Sequence, residues 1–186
     1  MNQAEKQEQQ PRTRYLAIYK VYHPEFPTLE MYGGEHLGDW GDGGPNDKIE
    51  ELLDLGITNS ICLIQDHELS LYANYNEKAL QINPNFKFLH YPIVDMSVPT
   101  KALMVEILDK IEEIIAANEK IYIHCLGGHG RTGTVIGCWL KRHGFKQGDI
   151  YRKLAVWRKN TLFGTSMSSP QRAEQFAMIN NWKNGE

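Results

Sequence analysis

Cysteine is scarce in this chain, with three among 186 residues, at positions 62, 125 and 138. Three thiols at those spacings make neither a disulfide framework nor a paired zinc-ligand motif, so no metal site is expected. No apolar run approaches the roughly 18 residues of a membrane span. Positive charge is not in excess either. The 20 Lys and Arg stand against 23 Asp and Glu, a net of −3, which argues against a dedicated nucleic-acid binder. No Gly-Lys-Ser/Thr follows a glycine-rich turn, which excludes a Walker-type nucleotide loop. The first 14 residues are polar and Gln-rich and lack an apolar h-region. They do not read as a secretory signal and are expected to form a disordered tail ahead of one domain over residues 15–186. There are no internal repeats. What remains, 41% hydrophobic and 23% charged, suits one globular domain with a real core.

Taken in order, residues 15–21 and 28–32 are β-prone, with Pro24 and Pro27 between them. Residues 33–45 hold six glycines and read as a loop, either a plain connection or a wall of a substrate cleft with Trp40 facing the substrate. Asn46 is placed to cap a helix that stops at Gly56. A buried strand over residues 57–64 follows and contains Cys62. Gln65-Asp66-His67-Glu68 stands at its carboxyl end, where ligand sites of α/β sheets gather; Asp66 and His67 either line a cleft or serve as turn and cap residues. Residues 72–84 are helix or loop and residues 86–94 a strand. From Pro99 and Thr100, Leu103, Met104, Ile107, Leu108, Ile111, Ile114 and Ile115 recur at helical spacing and predict a core-facing helix. A short strand ends at His124, a buried helix spans residues 134–143 with Cys138 as a small core side chain, and another spans residues 149–158. Ser169 and Pro170 are placed to open a last helix running to about Trp182. Strands alternating with helices predict an α/β fold, a central mostly parallel sheet flanked by helices.

The chemistry concentrates in Cys125-Leu126-Gly127-Gly128-His129-Gly130-Arg131-Thr132-Gly133. A cysteine sits where a strand ends, three glycines fall before Arg131, and a helix start points back at it. Successive amides of such a turn form an anion-binding nest, reinforced by the helix N-terminus. Arg131 can add a bidentate fork to two oxygens of a tetrahedral anion. The same field favours thiolate over thiol at Cys125 and makes its sulfur nucleophilic. Displacing a phosphate ester also needs an acid for the leaving oxygen. Asp95, 30 residues earlier (125 − 95) and between a strand and a helix, is the first candidate, with Asp39 and Asp66 as alternatives.

His124-Cys125-Leu126-Gly127-Gly128-His129-Gly130-Arg131-Thr132-Gly133 resembles the signature of cysteine-dependent protein tyrosine phosphatases, most of all their small dual-specificity branch, and the resemblance extends from Gly33 to Gln171. It implies that fold and a metal-independent, cofactor-free hydrolysis of phosphomonoesters through a phosphocysteine. It implies Cys125 as nucleophile, Arg131 with the amides of Leu126, Gly127, Gly128, His129 and Gly130 as phosphate binders, and Asp95 as general acid. It further implies His124 as the residue orienting Cys125 and Thr132 as hydroxyl donor to the sulfur. Gln171 and Gln175, four apart on one expected helical face, are similar to the water-positioning glutamines of tyrosine-specific members, although Arg172 replaces the usual Thr between them.

Phosphotyrosine in protein is the expected substrate, with phosphoserine or phosphothreonine beside it. Leu126 stands where phosphoinositide-directed relatives carry a lysine, which weakens an inositol, lipid or RNA-end phosphate as the alternative. A phosphate-binding pseudoenzyme is the rival of another class. Residues 141–160 hold Lys141, Arg142, Lys146, Arg152, Lys153, Arg158 and Lys159 against Asp149 alone, a solvated face or a receptor for an acidic partner. A thiolate nucleophile needs a reducing compartment, so the cytoplasm is expected, as is a monomer. Cys62, on the neighbouring strand, is either packing or a resolving thiol for an oxidised Cys125.

Overall fold

The computed structural model describes residues 8–38, 45–161, 164 and 166–186. Five strands form one sheet in the order β1-β2-β5-β3-β4, with β1 Ile18–Lys20, β2 Met31–Gly34, β3 Asn59–Cys62, β4 Lys87–His90 and β5 Ile121–His124. Only β1 runs antiparallel to its neighbour; β2, β5, β3 and β4 are parallel, as the alternation of strands and helices predicts. β5 is central, with His124 opposite both Gly34 and Cys62. Its end is therefore held from two sides, and the loop that follows starts from a fixed point.

Successive side chains of β5 point to opposite faces. Ile121, Ile123 and Cys125 join the larger core, built from α4 (Lys101–Ala116), α5 (Gly130–Arg142), α6 (Gln147–Trp157) and α7 (Ala173–Asn181). Tyr122 joins the other, with Ile49 and Leu52 of α1 (Pro45–Asp54) and Tyr75 and Ala79 of α3 (Tyr75–Ile82). A four-residue helix, α2 (Asp66–Leu69), follows β3. In α4, Met104, Ile107, Leu108, Ile111 and Ile114 are buried, and the Thr100 hydroxyl accepts from the Leu103 amide as its cap. Each such side chain contributes about 1.5–3 kcal/mol on burial.

Of the boundaries that differ from expectation, four matter here. Gly33 and Gly34, expected in a loop, complete β2, where a Cβ on Gly33 would meet the Tyr19 ring 2.6 Å away. α1 starts at Pro45, so Asn46 lies inside the helix. α5 starts at Gly130, four residues before the expected start, and carries Arg131 and Thr132 in its first turn. α7 starts at Ala173, because the Ser169 hydroxyl is used elsewhere: it donates to the His129 carbonyl at 2.8 Å. Of the segment expected as a tail, residues 8–14 make contacts with the domain. Glu8 accepts from Lys153 Nζ at 2.6 Å and Trp157 Nε1 at 2.9 Å. Asp39 and Trp40 lie outside the described residues.

Candidate active site

The turn after β5 is built on a close backbone approach. Gly128 has φ +73°, and a Cβ there would fall 2.6 Å from the Gly34 carbonyl. Only glycine satisfies both conditions. The His36 amide donates to the Leu126 carbonyl at 2.9 Å and closes the seam between β2 and the loop. α5 then opens at Gly130, so its positive end faces the concave side of the turn.

Asp95, Met96, Cys125, Leu126, Gly127, His129, Gly130, Arg131, Met167 and Gln171 line one cleft of about 270 Å³. Cysteine, arginine and aspartate, brought together by sequence argument, thus share one cavity. Arg131 is 2% exposed and held on three sides. Its Nη1 donates to Glu68 Oε2 at 2.7 Å, to the Ile93 carbonyl at 3.1 Å and to the Leu63 carbonyl at 3.4 Å. Its Nη2 lies 2.9 Å from Glu68 Oε1 and 3.0 Å from Asp95 Oδ1. Among the described residues neither Arg131 Nε nor the buried Thr132 hydroxyl has a hydrogen-bond partner. These are donors suited to an incoming oxyanion and to a leaving sulfur.

Glu68 was not singled out from the sequence. It stands three residues after Gln65, at the carboxyl end of β3, and the visible signal was its place in that tetrad. Burial raises its carboxyl; the Arg131 fork outweighs this and holds it below the usual glutamate range. Asp66, the neighbour considered instead, is exposed and sits 3.7 Å from His90 Nδ1, and His67 is exposed as well. Both are first-turn residues of α2.

His124 is fully buried, and burial, then His36, pushes it well below the ordinary histidine value. A neutral imidazole has one donor and one acceptor. Nδ1 faces the Cys125 carbonyl at 3.2 Å, so Nδ1 carries the proton. Nε2 therefore accepts from the Tyr75 hydroxyl at 2.6 Å, and Tyr75 accepts from Ser60 at 2.9 Å. Burial keeps Tyr75 protonated. The hydrogen-bonded chain Ser60–Tyr75–His124 backs Cys125, and Tyr75 is the second residue that sequence argument missed.

The glutamines separate. Gln171 lines the cleft but precedes α7, so it shares no helical face with Gln175. Gln175 is fully buried and its amide is engaged at both ends. Oε1 accepts from the Gln171 and Arg172 amides at 3.0 and 3.2 Å, and Nε2 donates to the Ser97 carbonyl at 3.1 Å. It ties the segment carrying Asp95 to the C-terminal helix. The basic residues of 141–160 do not form one free face. Arg142 pairs with Asp109, Arg152 with Asp149 and Lys153 with Glu8, while Arg158 is buried. Cys62 and Cys138 are buried thiols, pushed by burial up to about 12 for Cys62 and higher for Cys138. Among the described residues no helix is long and apolar enough to cross a membrane.

This geometry agrees with three comparisons. The chain is 35% identical over 126 residues to cyclin-dependent kinase inhibitor 3 of Sus scrofa, covering 68% of this chain and 59% of that protein. It is 34% identical over 101 residues to the putative tyrosine phosphatase 067L of invertebrate iridescent virus 3, covering 50% and 38%. The chain spans between 36% and 59% of the length of four of the curated relatives it matches. Among solved structures it is similar to kinase associated phosphatase with its catalytic-site cysteine replaced by serine, with a TM-score of 0.64, 24% identity and 79% of each chain covered. It is also similar to Tk-PTP in the active form, with a TM-score of 0.60, 26% identity, and 74% and 85% covered. The family model for the PTP-SAK domain matches residues 43–179, most of the chain, and the chain belongs to that family, the Swiss Army Knife protein DSP-PTPase phosphatase domains.

Proposed function

We propose that this protein hydrolyses phosphomonoesters through a phosphocysteine intermediate and acts on phosphotyrosine in proteins, with phosphoserine or phosphothreonine as further substrates. The observation that carries the reading is the shared cleft of Cys125, Arg131 and Asp95. In the first step the Cys125 thiolate attacks phosphorus, the ester P–O bond breaks, and Asp95 gives its proton to the leaving oxygen. Arg131 Nε and the loop amides take the charge of the transferring phosphoryl group. In the second, water attacks phosphorus, Asp95 takes its proton, and the sulfur leaves with the Thr132 hydroxyl donating to it. Gln171, on the cleft wall, is the candidate for holding that water; the Gln175 amide is engaged by its neighbours. Met96 and Met167 are exposed at the cleft. This apolar rim favours an aromatic ring over an inositol. The names of the relatives, which include a dual specificity protein phosphatase of Mus musculus, support the same class. Thiolate chemistry favours a reducing compartment, and we place the protein in the cytoplasm.

The test is turnover of an aryl phosphate and of a phosphotyrosine peptide. Cys125→Ser should abolish it while binding of inorganic phosphate persists, because a hydroxyl is not ionised by this cradle. Arg131→Lys should be severely impaired, since a point charge does not replace the fork. Full activity of either variant refutes the mechanism. An inert wild type that still binds phosphate identifies a pseudoenzyme. Preference for a soluble inositol phosphate over the peptide moves the substrate assignment while leaving the chemistry.

A further inference from the structure

A second guanidinium lies against the phosphate loop. Arg158, directly after α6, is 1% exposed, as deep as Arg131. Arg131 is matched by two carboxylates. Arg158 is not: its Nη1 donates to the Met167 carbonyl at 3.4 Å and its Nη2 donates to Nδ1 of His129. Among the described residues no carboxylate is paired with Arg158. A guanidinium is costly to bury without a counter-charge. The neighbouring loop, which carries a thiolate and then a phosphoryl group, supplies one. Arginine is a donor only, so His129 Nδ1 accepts and the neutral imidazole carries its proton on Nε2. The His129 carbonyl is held as well, accepting from Ser169. The fourth residue after the nucleophile is thus gripped at its ring and at its backbone.

We propose that Arg158 is a positioning residue of the phosphate loop, fixing His129 as the Nε2–H tautomer and setting a second buried positive charge against the loop that receives the phosphoryl anion. The proposal rests on the reading of Cys125 as nucleophile. The groups facing Cys125 come from every side. Arg131 acts from α5, with Glu68 of α2 and Asp95 of the acid segment paired to it. Tyr19 acts from β1, Cys62 from β3, and Tyr122 and His124 from β5. Burial favours the neutral form of those last four.

Two measurements test this without any substrate, so they remain decisive even if the protein turns over no phosphoester. In 15N-histidine-labelled wild type, the His129 signal, assigned by its loss in His129→Ala, should show Nδ1 unprotonated and Nε2 protonated; the opposite tautomer overturns the proposal. In Arg158→Gln, the protection that inorganic phosphate gives Cys125 against iodoacetamide should weaken about fivefold or more. Arg158→Lys should restore most of that protection by restoring the charge. A merely structural arginine would lower the melting temperature and leave phosphate protection unchanged, which would refute the proposal. If Arg158→Gln does not fold, the wild-type tautomer decides.

Discussion

Replacing Glu68 by Gln is the sharpest perturbation of the site, because it removes one charge and almost no volume. Glu68 holds Arg131 through two bonds of 2.7 and 2.9 Å, and its Oε2 also accepts from the Gln65 amide at 3.1 Å. A carboxamide keeps one acceptor and turns an N–H pair toward a donor-only guanidinium, so at least one charge-assisted bond is lost. Breaking a fully buried pair costs about 3–5 kcal/mol. Here Glu68 is 14% exposed and Asp95 remains as a second anion on Arg131, which brings the expected loss down to about 2–3 kcal/mol. For a domain of this size that is a fall in Tm of roughly 5–10 °C. Catalysis should suffer more specifically. Released from Glu68, Arg131 keeps Asp95 as its acid partner among the described residues, so the guanidinium swings toward Asp95 and its Nε turns off the phosphate. A drop in kcat/KM of about 10²-fold, or about 2.7 kcal/mol, is expected, larger for poor leaving groups. pH supplies a further check. The Glu68 carboxyl lies below its unfolded value, so its contribution to stability is complete above about pH 4.3 and is lost as pH falls through the folded value. The stability gap between wild type and Glu68→Gln should therefore close in acid. The assay is kcat/KM on two aryl phosphates of different leaving-group pKa, with thermal melts from pH 3 to pH 7. A variant that melts lower but keeps wild-type kcat/KM on both substrates would show that Glu68 is only a structural brace.

Asp95→Asn should slow poor leaving groups by roughly 10²–10⁴-fold, with a smaller loss on an activated aryl phosphate; an unchanged leaving-group dependence moves the acid elsewhere. Gln175→Met should leave two amides and the Ser97 carbonyl unpaired, lower Tm by about 4–8 °C and loosen the segment that carries Asp95. Differential scanning calorimetry and the leaving-group dependence of kcat read these together, and wild-type values of both would remove the tie from the argument. Tyr75→Phe should cost about 1–3 kcal/mol in chemical denaturation by stranding His124 Nε2 and Ser60, and should lower kcat; equal kcat would mean that the backing of Cys125 is redundant.

What was legible in the sequence was what is contiguous. The run from His124 to Gly133 carries its own chemistry, because a strand end, a glycine turn, a fork and a helix start follow one another within ten residues. Its partners do not. Glu68 meets Arg131 across 63 residues and Tyr75 meets His124 across 49, distances that no local period encodes. Where local signals did mislead, a stronger tertiary partner had taken the group: Ser169 and Pro170 look like a helix start, but the hydroxyl is used on the His129 carbonyl, and α7 begins only at Ala173, where Gln175 satisfies the amides ahead of it. The start of α5 was read four residues late because Gly130 and Gly133 are poor helix formers. They are retained there because side chains would collide: a Cβ on Gly130 would stand 2.8 Å from the Gln171 amide, and one on Gly133 would overlap the Ser169 hydroxyl. Charge was the least legible property of all. Seven cations in twenty residues count as one basic stretch on paper, but a helix of 3.6 residues per turn sends them in different directions. Lys153 goes to Glu8, Arg152 to Asp149 and Arg142 to Asp109, and Arg158, the one buried among them, comes to rest on the loop that holds Cys125. A count of charge thus carries no functional information until the direction of each side chain is known.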